Sequence, residues 1–76
     1  MKNVKFTTRY VKAKKLKADD WFKMAGQLYV IADVHKDLYG QRIITFYPGH
    51  LRNHGIVTFS SMIVEKNTIF KIWKQK

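Results

Sequence analysis

Apolar and polar residues alternate near the N-terminus, and this pattern predicts the first strand. Over residues 4–11 one face takes Val4, Phe6, Thr8 and Tyr10, and the other takes Lys5, Thr7 and Arg9. A period of two residues is typical of a half-buried strand. A basic connector, residues 12–17, follows around Ala13 and Leu16 and leads to Asp19-Asp20.

Residues 21–35 fit two structures. In the first, strands at 21–24 and 28–35 flank an Ala25-Gly26-Gln27 turn, and one strand face takes Leu28, Val30, Ala32 and Val34. The rival is a helix capped by Asp19 or Asp20, since helical spacing relates Trp21, Met24, Ala25, Leu28, Ile31 and Ala32. That helix would hold Gly26 in its interior at a cost of about 1 kcal/mol. We favour the hairpin because valine and isoleucine are enriched in strands.

The second half of the chain predicts further strands. After a loop at 36–40, residues 41–47 form a strand that Pro48-Gly49 ends, and a glycine-bounded loop covers 49–55. Residues 56–60 are a short strand, 61–65 a bend or short helical turn, 68–73 the last strand, and 74–76 a frayed end. Short strands spaced about ten residues apart, with glycine between them, are typical of small all-β folds. We therefore expect one domain, residues 1–76, forming an all-β, SH3-like antiparallel barrel of five or six strands with one short helical turn.

The net charge of the chain indicates which classes of partner it attracts. Fifteen Lys and Arg residues against five Asp and Glu give a net charge of +10. Residues 1–17 contribute +7, residues 18–65 contribute −1 and residues 66–76 contribute +4. Such a field attracts nucleic acid first, and anionic protein or lipid surfaces after it. Twelve of the fifteen cations are lysine, however, and a solvated lysine face without a fixed partner is the alternative.

Other features exclude whole classes of protein. The chain has no cysteine, so neither a disulfide nor a thiolate metal site holds it together. Its apolar runs are far shorter than the ~20 residues that cross a bilayer, and no signal-peptide pattern opens it. We therefore expect a cytoplasmic protein with no membrane association.

Residues 12–34 resemble the opening of SH3-like barrels of the KOW and elongation factor P N-terminal kind. The likeness rests on the positions of Leu16, Asp20, Gly26, Tyr29 and Val34. Asp19 replaces the glycine usual before the aspartate, and the loop at 36–40 lacks the modified-lysine context of the translation factor. The resemblance implies a barrel fold and a tendency to bind RNA or protein, without translation-factor activity.

Two segments are candidates for contact with nucleic acid, because phosphates need spaced cations and unpaired bases need flat side chains. The candidate residues are Arg9, Lys12, Lys14, Lys15, Lys17 and Trp21 in the first segment, Tyr47, His50 and Arg52 in the 47–55 loop, and Tyr39 and Arg42 between them. The alternatives are that the aromatic residues are core, that the lysines are merely solvated, and that the loop is a polar connection.

The sequence gives little support for a catalytic site or a metal site. Ser60 and Ser61 lack a nucleophile-elbow context, and the adjacent Asp19 and Asp20 point to opposite faces of a strand. A general base formed by His35 with Asp33 or Asp37 stays open on the sequence. His50 and His54 lie four residues apart, but the glycines and proline around them oppose the helix that would align them. We expect no enzymatic activity, no cofactor and no metal site.

The sequence thus predicts a non-catalytic module that binds RNA or single-stranded DNA with low specificity through a basic surface. The alternative is a small basic adaptor or inhibitor, of the kind that a virus directs at its host, which docks on an acidic partner protein. A third option is a structural subunit of a larger particle. The sequence leaves the oligomeric state open.

Overall fold

The chain forms an antiparallel sheet in the computed structural model, which describes residues 6–52, 55 and 58–75. The strands are β1 (Phe6–Lys12), β2 (Trp21–Met24), β3 (Gln27–Lys36), β4 (Arg42–Pro48), β5 (Ser60–Val64) and β6 (Ile69–Gln75). Two single 3-10 turns, Ala13–Lys15 and Gly49–Leu51, follow β1 and β4. The all-β prediction is confirmed. The sequence predicts one short helical turn, whereas the described residues contain these two 3-10 turns, and neither lies at 61–65.

The six strands form one open sheet in the order β1-β6-β2-β3-β4-β5. In a flat sheet four strand spacings, roughly 19 Å, would separate β5 from β6. The turn that joins them is closed by a 3.0 Å hydrogen bond from the Thr68 N–H to the Glu65 carbonyl, and such a turn keeps its ends within about 7 Å. The sheet must therefore curl strongly, although among the described residues β1 and β5 do not pair with each other.

The concave side of this sheet holds the hydrophobic core. Its buried members are Ala13, Leu16, Phe22, Ile31, Ile44, Phe46 and Ile72. Aromatic edges meet here: the Phe22 ring centroid lies 5.4 Å from that of Phe46 and 5.7 Å from that of Phe70. Ala13 and Leu16 are both buried in this core, so the segment after β1, predicted as a basic connector, also contributes apolar side chains to the core.

The hairpin prediction for residues 21–35 is confirmed, and the rival helix is wrong. Ala25 and Gly26 both have positive φ, 52° and 80°. This is the backbone that a two-residue hairpin turn of matching twist requires. Gln27, expected in the turn, is the first residue of β3 and pairs with Met24.

A bulge in β3 corrects the predicted faces of this strand. The pairing with β4 shifts between Ile31 and Asp33. Val34 therefore packs against the core together with Tyr29 and Ile31, not on the face of Val30 as strict alternation predicted. An extra residue in one strand changes which face the following side chains occupy.

The strand boundaries after residue 55 also differ from the prediction. The strand expected at 56–60 and the bend expected at 61–65 are replaced by β5, Ser60–Val64, while Ile56 and Val57 lie outside the described residues. Cross-strand pairing with β4 forms this strand despite its two serines. The last strand is confirmed but longer, since Lys74, expected to be frayed, pairs with Thr7. Lys76 lies outside the described residues.

The two edges of the sheet differ in charge. The edge strand β1 contains Arg9 and Lys12, and charges of this kind oppose pairing with a foreign strand. The edge strand β5 contains no charged residue, and its Ile63 side chain is exposed. Phe59, just before β5, is exposed as well.

Candidate nucleic-acid interface

An aromatic row crosses the convex face of the sheet. The strand register aligns Trp73 with both Thr8 and Trp21, then Trp21 with Val30, and Val30 with Tyr47. Paired residues of antiparallel strands share a face. Val30, within this row, is fully buried, whereas both tryptophans are half-buried. The row therefore has a buried centre and partly open tryptophan rings.

Two lysines flank the tryptophans as a consequence of the same register. Trp21 pairs with Trp73 and Phe22 with Ile72, so Lys23 and Lys71, each two positions from a tryptophan, fall side by side. The Lys23 Nζ lies 5.4 Å from the Trp73 ring centroid and the Lys71 Nζ lies 5.1 Å from it. Both distances are in the range of cation–π attraction. Two exposed cations thus share one aromatic ring.

The 3-10 turn at Gly49–Leu51 lies against the first tryptophan. Pro48, with φ −60°, ends β4, and the chain then passes over Trp21. A Cβ atom at position 49 would overlap the Trp21 ring at Cζ3, so glycine is required there. This close approach of backbone to indole fixes one side of the Trp21 ring.

Arg52 completes the surroundings of Trp21. Its guanidinium carbon lies 5.9 Å from the Trp21 ring centroid. Its Nη1 donates to the Tyr47 hydroxyl at 3.4 Å, and its Nη2 forms a 3.3 Å ion pair with Asp19. All these partners are at or near the surface, where an ion pair contributes little stability. These contacts therefore place Arg52 beside Trp21 but hold it there only weakly.

Trp73 has its own neighbours. The Phe6 ring meets it edge-on with centroids 6.2 Å apart. Its indole Nε1 is buried and has no hydrogen-bond partner among the described residues. The Trp73 indole therefore packs against an aromatic edge and keeps its N–H away from solvent.

An open depression adjoins Trp21. It measures ≈ 490 Å³, and its walls include Trp21, Lys23, Gln27, Leu28 and His50. The Gln27 Nε2 lies 3.4 Å from the His50 Nδ1. The volume is within the range of about 300–1,000 Å³ that small-ligand sites occupy.

The structure brings four of the sequence-predicted residues together: Trp21, Tyr47, His50 and Arg52. All four lie on this convex face or on the turn that covers it. His54 of the same loop lies outside the described residues.

The other predicted residues lie elsewhere. Tyr39 is almost fully exposed in the turn after β3, and the Arg42 guanidinium donates to the Gly40 carbonyl at 2.7 Å. This turn is about 20 Å along β3 from Trp21, given six residues at ~3.3 Å each. Arg9 and Lys12 are on the β1 edge, and exposed lysines follow in the 3-10 turn and the loop after it, namely Lys14, Lys15 and Lys17.

Sequence reasoning missed Lys23, Lys71 and Trp73 as members of the site. A signal was present, because Trp21-Phe22-Lys23 and Lys71-Ile72-Trp73 repeat one pattern in opposite directions. Two antiparallel strands with these sequences align tryptophan with tryptophan and lysine with lysine. The pairing of β2 with β6, however, was needed to make the pattern meaningful.

The described residues offer little geometric support for a His–Asp general base or a metal site. The His35 Nδ1 lies 2.9 Å from the Asp33 carboxylate, but both side chains are more than half exposed. Within the described ranges, no three His, Asp or Glu side chains cluster closely enough to hold a metal ion. Nor does this part of the chain form a helix with the length and apolarity of a membrane span.

No known family, curated protein or solved structure matches this chain.

Proposed function

We propose that this protein binds unpaired nucleic acid, RNA or single-stranded DNA, on the convex face of its sheet, without catalysis. The observation that supports the proposal is the pair of adjacent tryptophans, Trp21 and Trp73, with the ammonium groups of Lys23 and Lys71 both close to one indole ring.

The chemistry of single strands fits this face. Unpaired bases stack on aromatic side chains, each for about 1–3 kcal/mol, and the phosphates between them need nearby cations. The two lysine nitrogens are at most about 10.5 Å apart, the sum of their distances to one centroid. Their separation is therefore at most about one Debye length at 0.1 M salt, about 10 Å, so salt leaves part of their mutual repulsion unscreened, and an anion between them relieves it.

Low sequence specificity follows from the kind of contact. Every base has a face that can stack, and lysine meets phosphate as a point charge. A duplex hides its base faces, so we expect single strands to bind more tightly than duplexes of equal length. The lysines at 12, 14, 15 and 17 extend the positive field beyond the convex face and add weaker phosphate contacts.

NMR titration with a mixed-sequence single-stranded oligonucleotide tests the proposal at two salt concentrations. The two tryptophans give two indole N–H signals, which report on the site directly. Both indole signals and the amides of β2 and β6 should move, and the shifts should shrink at the higher salt. Shifts confined to residues 36–42, at the far end of the β3–β4 hairpin, would refute the site. The absence of any shift at low salt would refute the function.

A second candidate function is docking on an acidic partner protein, which the net charge of +10 would attract, with the edge of β5 as the docking position. This edge has no charge, exposes Ile63 and follows the exposed Phe59. An extended segment of a partner can add a strand to such an edge. Pull-down with and without nuclease separates the two functions. One stoichiometric acidic protein that survives nuclease supports docking, and loss of all partners supports nucleic-acid binding.

We also propose that the curled sheet closes in solution into a small barrel of SH3-like type, as the resemblance of residues 12–34 implies. The short turn at 65–68 supports this, because it brings the ends of β5 and β6 together. Nuclear Overhauser contacts between β1 and β5 in solution would establish closure, and their absence would leave an open sheet.

A further inference from the structure

The depression beside Trp21 has the chemistry of a site for one flat ring. Trp21 and Leu28 supply apolar wall, while Gln27 and His50 supply polar groups. Lys23 lines the depression and also lies near Trp73. One boundary of the depression therefore coincides with the proposed path of the phosphates.

Backbone structure holds the polar groups in place. Gln27 is the first residue of β3 and pairs with Met24 across the hairpin turn. His50 is in the 3-10 turn that lies against Trp21, and its Nδ1 is 3.4 Å from the Gln27 Nε2. The Gln27 amide is therefore positioned by a contact that uses one of its N–H groups, and the other N–H and the carbonyl oxygen have no partner among the described contacts.

We propose that this depression is a base subsite that prefers adenine, an inference that rests on the nucleic-acid function proposed above. A primary amide pairs with adenine by donating to N7 and accepting from the N6 amino group. Guanine presents two acceptors on the same edge and sets its O6 against the amide oxygen. The unpaired base stacks against Trp21, and its edge meets Gln27.

Binding of three short single-stranded DNA oligomers tests the subsite. They consist of thymidine with a central adenine, cytosine or thymine, and they carry the same fluorophore for anisotropy measurements at one salt concentration. The wild-type protein should bind the adenine oligomer about fivefold more tightly than the other two. The variant Gln27→Ala should lose this preference, with little change in affinity for the thymine oligomer.

Gln41→Ala is the matched control, because Gln41 is an exposed glutamine in the turn before β4. It should keep the adenine preference.

Each contrary result has a distinct meaning. Equal affinity of the wild-type protein for all three oligomers overturns the subsite while the nucleic-acid function stands. An adenine preference that survives in a folded Gln27→Ala variant overturns the role of Gln27. Failure of all three oligomers to bind at low salt overturns the subsite and the proposed function together.

Discussion

Replacement of Lys23 and Lys71 by glutamine should weaken single-strand binding and flatten its salt dependence. Each phosphate contact contributes about 0.7 to the slope of log affinity against log salt on single strands. With about four contacts in the wild-type protein the slope is near −2.8, and the double variant should give about −1.4. If both proteins bind equally at 1 M salt, this difference amounts to about 25-fold weaker binding at 0.1 M.

The assay is anisotropy of a labelled single strand titrated at several salt concentrations between about 50 and 200 mM, where the slope is well determined. The matched control replaces Lys36 and Lys66 by glutamine, since both are exposed and neither is among the cations near a tryptophan ring, Lys36 at the end of β3 and Lys66 between β5 and β6. This control lowers the net charge by the same amount as the Lys23 and Lys71 variant and should retain most of the wild-type slope of log affinity against log salt. A double variant with the wild-type slope, or a control that flattens equally, would refute the reasoning.

The lysine variant also loses contacts within the protein. A cation over an exposed aromatic ring is worth about 0.5–1 kcal/mol, and both lysines lie near the Trp73 ring. The free energy of unfolding should therefore fall slightly. Urea unfolding of the variant confirms that the binding assay measures folded protein.

Further predictions concern the scaffold. Gly49→Ala should lower the free energy of unfolding by about 1–3 kcal/mol, because the new methyl group overlaps Trp21; Gly55→Ala, in open space, should change it little in the same urea titration. Ile72→Ala should cost about 2–5 kcal/mol, since this side chain is fully buried, while Ile69→Ala in the same strand should cost far less because Ile69 is more than half exposed. Equal losses in the two isoleucine variants would contradict the assigned core. Far-UV circular dichroism should show a strand-dominated spectrum, and a helical one would exclude the sheet.

The sequence correctly predicts those elements that depend on a few neighbouring residues. Gly26 and the β-branched residues after it predicted the β2–β3 hairpin correctly. The bulge near Asp33 has no such signal, because one inserted residue leaves the composition unchanged and alters only the pairing with β4. Strand β5 was missed since Ser60 and Ser61 have weak strand preference, and the neighbouring strand decides such cases.

Part of the candidate site was predictable because some of its residues are recognised by residue type, while others join the site only through strand pairing. Trp21 and Arg52 were identified from their residue types, and the fold places them against each other. Trp73 is far from Trp21 in the sequence, and the two become neighbours through the pairing of β6 with β2. Tyr39 shows the reverse, because an aromatic residue in a turn satisfies the residue-type criterion but has no aromatic partner there among the described contacts.

The uncharged edge of β5 has a consequence for the behaviour of the protein at high concentration. Because that strand carries no charge, its edge-to-edge self-association is opposed by the repulsion between whole molecules of net charge +10. Added salt screens this repulsion. Colloidal stability should therefore decline with ionic strength, and dilute, low-salt buffers are the appropriate storage conditions.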